Sequence, residues 1–267
     1  MNFSVTTMGT ASAMPVSDRN PSAQMLNANG RLFLIDCGEG TQQQIRRCHF
    51  SFVRIEAVFI SHIHGDHLFG LFGLLNTMGM YGRKAPLDIY GPKALVGIIH
   101  FYTFYFGAGD PFEIRVHPLT CKSPEVVHES SYVKVSAFPL NHKIECFGYR
   151  FDENVSEHRL AIDPGRRPKS YAYCSDTKPF PELPGWVKGV DCLYHEATFL
   201  DAMADKADFR HHSTTVQAAE CALKAGAGRL IVGHYSTRIT DFEAYLEECR
   251  RVFPETFAAS DGDVFEL

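Results

Sequence analysis

Residues 61–67 read Ser-His-Ile-His-Gly-Asp-His, three imidazoles and a carboxylate straight after the apolar run Ala57, Val58, Phe59, Ile60. A loop this rich in metal-ligand types needs a rigid element to deliver it, and the run before it has the length of a buried strand. Neutral imidazole suits zinc and similar borderline ions, while carboxylate oxygen can bridge two cations. The mixture therefore points to a dinuclear site rather than one structural zinc. A chain built this way must fold so that distant segments bring the missing ligands to the end of that strand.

The 267 residues, 45% of them hydrophobic, suffice for one large core or two fused halves, and disorder is excluded. No run of about eighteen uncharged apolar residues exists, and Met1-Asn2-Phe3-Ser4-Val5 enters a strand-like pattern without a basic leader. A soluble, cytoplasmic protein with no membrane partner is expected. The eight cysteines are scattered singly, several within apolar runs, as buried free thiols would be. A net charge of −5 argues against a generic nucleic-acid binder, so an anionic substrate must be attracted locally. Arg46-Arg47 and Arg166-Arg167-Pro168-Lys169 are the tight basic clusters.

Strand and helix patterns intermix along the chain. Strands are predicted at 3–8, 31–35, 87–90, 132–138, 147–151, 170–174, 192–195 and 230–232. Helices are predicted at 68–80, 94–106, 213–225 with Ser213 as N-cap, and 241–252 stopped by Pro254. The aromatic run 101–106 reads as core or subunit contact. The second half repeats the style of the first without repeating its sequence, and no linker is long enough to separate two domains. These patterns predict an α/β (α+β) four-layer sandwich, two mixed β-sheets inside and helices outside, formed by residues 1–267 as a single domain.

The thirteen histidines are sorted by setting. His142, Asp176 and His234 each follow a predicted strand, where a ligand is held best. With His62, His64, Asp66 and His67 they offer five imidazoles and two carboxylates, enough for two metals with an open water position. His49, His100, His117, His128, His158 and His211 have no such setting, and His195 is left undecided.

The chain resembles the metallo-β-lactamase superfamily and, within it, the ribonuclease Z branch. The resemblance rests on Asp36-Cys37-Gly38-Glu39-Gly40-Thr41-Gln42, the 61–67 loop, Pro139-Leu140-Asn141-His142, Phe147-Gly148-Tyr149-Arg150 and Ser175-Asp176-Thr177. It extends to His195-Glu196-Ala197-Thr198-Phe199, His212-Ser213-Thr214 and His234-Tyr235-Ser236-Thr237-Arg238. The 61–67 loop marks only the superfamily, whereas the last segments point to the nuclease branch.

The resemblance implies two Zn2+ per chain, or Mn2+ or another divalent ion. His62, His64 and His142 would hold one, Asp66, His67 and His234 the other, and Asp176 would bridge, with Asp36 orienting a ligand. It implies hydrolysis of a phosphodiester at the 3′ end of precursor transfer RNA by metal-activated hydroxide. Asp66 would orient the attacking water or take its proton, and His212, paired with Glu196, would be the general acid. Arg238, Ser213 and Thr214 are the expected phosphate contacts. A homodimer is also implied. In that branch a long arm that grips the transfer RNA usually follows the Phe-Gly-Tyr-Arg segment. Here only residues 152–168 stand in that place, a shortened loop carrying Arg159, Arg166 and Arg167. A small-substrate hydrolase of the same fold acting on a phosphodiester, thioester or lactone is the alternative. A non-catalytic RNA-binding subunit is disfavoured because every ligand is present.

Overall fold

In the computed structural model, which describes residues 3–14, 16–107, 109, 111–155 and 165–267, strand runs build two seven-stranded sheets. The first sheet takes β1 (Phe3–Gly9), β2 (Ala23–Ala28), β3 (Arg31–Ile35), β4 (Ile55–Phe59), β5 (Leu87–Gly91) and β6 (Ile114–Pro118). The second takes β7 (Glu125–Glu129), β8 (Val133–Pro139), β9 (Phe147–Glu153), β10 (Ser170–Cys174), β11 (Cys192–Glu196), β12 (Leu230–Gly233) and β13 (Thr256–Ala258). The last strand, β14 (Val264–Glu266), returns to pair with β1.

Both sheets are mixed in the same way. In the first, β1 pairs antiparallel with β14 and β2, and β2 with β3, after which β3 to β6 run parallel. In the second, β7 to β10 are antiparallel and β10 to β13 parallel. The repeated style of the two halves is thus a repeated topology. Parallel pairs need crossovers, and the helices that make them cover the outer faces.

The helices are α1 (Thr41–Arg47), α2 (Gly65–Leu68), α3 (Leu71–Met80), α4 (Leu95–Tyr105), α5 (Leu183–Trp186), α6 (Ala204–Arg210), α7 (Thr215–Ala225) and α8 (Phe242–Val252). Three buried clusters separate the layers. Phe33, Phe59, Tyr149, Phe151, Tyr173 and Tyr194 fill the space between the sheets. Leu71, Leu74 and Ile99 seal the first sheet, and Ala218, Ala222 and Tyr245 seal the second. This is the four-layer sandwich expected. The cysteines are free, and all but Cys48 are buried.

Several boundaries move for physical reasons. The helix expected over 68–80 breaks between α2 and α3. There the Gly70 N–H bonds the Cys37 carbonyl at 2.9 Å, and a Cβ on Gly70 would lie 2.1 Å from the Gly38 oxygen. The N-cap of α7 is Thr214, not Ser213: its side chain accepts from the Gln217 N–H while the Gln217 side chain accepts from the Thr214 N–H. In the run 101–106 only Tyr102 is core, and Phe101, Phe104, Tyr105 and Phe106 are exposed, which corrects the core reading of that run. Of the loop 152–168, residues 156–164, including His158 and Arg159, lie outside the described residues.

Candidate active site

The strands deliver the predicted ligands to one edge of the sandwich. Asp36 follows β3, the 61–67 loop follows β4, and His142, Asp176 and His234 follow β8, β10 and β12, while Glu196 ends β11. Each comes from a C-terminal strand end, where a rigid sheet fixes the backbone and the loop frees the side chain. Asp36 and His234 have φ of 56° and 62°, a left-handed conformation that non-glycine residues seldom adopt.

Two donor clusters result. His62 Nε2 and His64 Nδ1 lie 3.0 Å apart, and His142 Nε2 is 3.3 Å from His64 Nδ1. Opposite them, His67 Nε2 and His234 Nε2 face each other at 3.3 Å, with Asp66 Oδ2 3.3 Å from His234 Nε2. Asp176 stands between and divides its oxygens. Oδ2 is 3.5 Å from His62 Nε2, whereas Oδ1 is 3.2 Å from His234 Nε2 and 3.5 Å from His67 Nε2.

The surrounding bonds set the imidazole tautomers. His67 Nδ1 donates to Asp36 Oδ2 at 2.7 Å, and His142 Nδ1 donates to the His211 carbonyl at 3.0 Å. Thr198 Oγ1 donates to Glu196 Oε2, so at 2.8 Å it accepts from His234 Nδ1. Ser61 Oγ likewise donates to Asp36 Oδ2 and accepts from His62 Nδ1 at 3.0 Å. With Nδ1 committed in all four rings, four Nε2 lone pairs aim at the same two spaces. Asp176 Oδ1 is buried and accepts no hydrogen bond. Converging lone pairs and an orphaned carboxylate oxygen are what divalent cations satisfy, so the donor set fits them.

The electrostatics agree. Burial lowers the pKa of His67, but Asp66, Asp176 and Asp36 together bring it well above the usual imidazole range, so this corner favours positive charge. Burial also disfavours ionisation of Asp66 and Asp176, yet His67 and His234 hold both well below the usual carboxylate range.

Beside the clusters stands the pair expected from the sequence. His212 Nδ1 is 2.8 Å from Glu196 Oε1, and His212 Nε2 is 4.0 Å from Asp176 Oδ2. Glu196 is saturated: Oε1 also accepts from the Thr177 and Ser213 N–H groups, and Oε2 from the N–H and hydroxyl of Thr198. Burial lowers the pKa of His212, but Glu196 and Asp176 outweigh it and push the value up to about 9. The ring remains partly open to solvent.

Other expectations resolve differently. Ser213 and Thr214 are fully buried, and their hydroxyls donate to the Thr177 carbonyl and to Asp201 Oδ1. Neither lines the cleft, which corrects their expected phosphate contacts, whereas Arg238 does line it. His195 follows strand alternation. Its neighbour Tyr194 packs in the inter-sheet core, so alternation turns the His195 ring to the helix-covered face, beside Leu183 and Cys221, where Nδ1 bonds the Glu196 carbonyl at 2.7 Å.

The cleft has a volume of about 620 Å³, and Lys143, Lys206, Arg210 and Arg238 line it. Three of these cations escape sequence reasoning. The available signal is that Lys143 neighbours His142; Lys206 and Arg210 lie one turn apart on α6, a helix the sequence pattern does not announce.

A model of the beta-lactamase superfamily domain matches residues 31–235. Ribonuclease Z of Porphyromonas gingivalis is 37% identical, with 97% of both chains covered. Ribonuclease Z of Cytophaga hutchinsonii is also 37% identical, covering 99% of this chain and 96% of its own. The chain belongs to the ribonuclease Z family. Within it, human tRNase Z, short form, superposes with a TM-score of 0.82 at 30% identity over 98% of each chain. The alignment with the Porphyromonas family member runs to 295 positions, 28 more than the 267 residues of this chain, so that relative holds segments with no counterpart here. No helix among the described residues is long and apolar enough to cross a membrane.

Proposed function

We propose that the protein is a zinc-dependent endoribonuclease that hydrolyses the phosphodiester at the 3′ end of precursor transfer RNA and leaves a 3′-hydroxyl on the transfer RNA. The observation that carries this reading is the Glu196–His212 pair opening beside two His/Asp clusters, in a chain 37% identical to proteins named ribonuclease Z. His62, His64 and His142 would hold one zinc, and Asp66, His67 and His234 the other, with one oxygen of Asp176 turned to each. When bound, the pair of ions lowers the pKa of water to about 7 and makes hydroxide available at neutral pH.

The residues then divide the work. Asp66, ionised and against His67 and His234, would orient the attacking water or take its proton. His212 faces the cleft with its other nitrogen tied to Glu196, and it protonates the 3′ oxygen as the P–O bond breaks. Lys143, Lys206, Arg210 and Arg238 draw a polyanion into the cleft of a chain whose net charge is −5. The 152–168 segment, where the family's long substrate-binding arm is usually inserted, is too short to hold one.

Incubating a precursor transcript carrying a 3′ trailer with the protein and zinc or manganese is expected to release the trailer. A chelator should stop cleavage and added metal restore it. Intact RNA beside rapid turnover of bis(p-nitrophenyl) phosphate would instead favour the small-substrate hydrolase. The exposed Phe101, Phe104, Tyr105 and Phe106 support a homodimer joined through α4. Light scattering should give about twice the monomer mass, reverting to one on Phe104→Asp with Tyr105→Asp; a wild-type monomer mass rules this assembly out.

A further inference from the structure

Phe209, on α6, is 70% exposed and stands beside a polar cleft. Two cations sit over its ring, Lys143 Nζ at 4.8 Å from the centroid and Arg210 Cζ at 5.8 Å. Both cations also line the cleft that holds His64, His142 and His212, so the ring stands at its rim. A second pair repeats the arrangement further in. Lys206 Nζ lies 5.7 Å over Phe199, whose ring meets His212 edge-on at 6.0 Å.

Apolar packing does not explain Phe209: most of the ring is in water, and it belongs to none of the three core clusters. Cation–π contacts at exposed sites contribute only about 0.5–1 kcal/mol each, a small gain for a ring left mostly in water. An exposed aromatic ring flanked by cations at the rim of a groove matches a different need, although Phe199 further in is itself buried. Single-stranded nucleic acid alternates flat bases with phosphates, and proteins that bind it place rings and basic groups in the same order.

We propose that Phe209 is a stacking platform for an unpaired nucleotide adjoining the scissile phosphate, with Lys143 and Arg210 on the flanking phosphates. The inference rests on the endoribonuclease reading and gives it a substrate feature, an unpaired base next to the cut. Phe209 is a binding residue here: it would touch a base of the substrate and take no part in proton transfer or attack. A rigid local grip of this kind supplies register where the long arm is reduced.

Base–aromatic stacking is lost on alanine substitution at about 1–3 kcal/mol, which corresponds to a roughly 5- to 150-fold effect. Phe209→Ala should therefore raise KM for a trailer-bearing transcript by that factor, leave turnover of bis(p-nitrophenyl) phosphate unchanged, and be rescued by Phe209→Trp. A transcript abasic at the nucleotide on one side of the cut should bind wild type as weakly as the intact transcript binds the alanine variant. 2-Aminopurine at that position should be quenched by wild type and not by Phe209→Ala. Equal KM for the alanine variant and wild type, with wild type cleaving RNA normally, overturns the platform alone. A wild type that leaves RNA intact while turning over the small diester overturns the endoribonuclease reading, and the platform with it. Loss of both activities in Phe209→Ala, unrescued by tryptophan, assigns the ring to the fold and also overturns the platform.

Discussion

His212→Asn is expected to lower kcat for precursor RNA by about 10²–10⁴, the usual worth of a positioned general acid, while bound metal and KM stay near wild type. Asparagine is the informative substitution because its amide can still donate to Glu196 Oε1, which His212 Nδ1 reaches at 2.8 Å. His212→Ala removes that donor from a carboxylate with no exposure to water, and breaking a buried pair costs about 3–5 kcal/mol. A lower melting temperature in the alanine variant alone would therefore separate folding from catalysis. Glu196→Gln tests the pair from the other side. Oε1 accepts from three groups and Oε2 from two, so either orientation of the amide turns its NH2 against at least two donors. That variant should lose stability as well as activity. His212 also falls within reach of Asp176 and His234 as a third donor group. Metal content decides its role: wild-type stoichiometry in His212→Asn with kcat lost supports the acid, whereas loss of an ion makes His212 a ligand.

What was legible in the sequence follows from how local each cause is. The 61–67 loop was legible because four ligands sit on one turn of chain after one apolar strand. His142, Asp176 and His234 were legible because each ends a strand, and a sheet edge gathers strand ends. Of the tautomer-setting groups Asp36 was expected to orient a ligand, but the Thr198 hydroxyl and the His211 carbonyl were not legible, since they meet their partners only through folding. The break between α2 and α3 was hidden for the same reason: the Gly38 carbonyl that forbids a Cβ on Gly70 is 32 positions away. Helix α6 carries two aspartates among two alanines, a lysine, a phenylalanine and an arginine, with no apolar period, so neither the helix nor Phe209 stood out. His195 could have been resolved in advance, because alternation along β11 gives Glu196 and its neighbour opposite faces.

The sharpest contrast lies between two buried aspartates of the same edge. Asp36 accepts from the Ser61 N–H at 2.7 Å, the Ser61 hydroxyl at 2.8 Å, His67 Nδ1 at 2.7 Å and the Tyr173 hydroxyl at 2.7 Å, so protein donors satisfy both its oxygens. Asp176 leaves Oδ1 without a hydrogen bond. The first carboxylate therefore belongs to the fold and orients a ligand, while the second serves the cations proposed for the site. Asp36→Asn replaces an acceptor with an NH2 inside a closed network. A loss of about 3–5 kcal/mol there lowers the metal-free melting temperature by on the order of 10 °C, with metal affinity weakened about 10- to 100-fold through His67. Asp176→Asn breaks no protein hydrogen bond to Oδ1 but removes a charge that His234 and His67 hold ionised, so its metal-free melting temperature should fall clearly less than that of Asp36→Asn. Its metal content should fall from about two ions per chain to one or none, and RNA cleavage with it. Paired calorimetry and metal analysis of the two variants read this directly. If metal-free Asp176→Asn melts as early as Asp36→Asn, the orphaned oxygen has a structural duty and the bridging assignment is wrong.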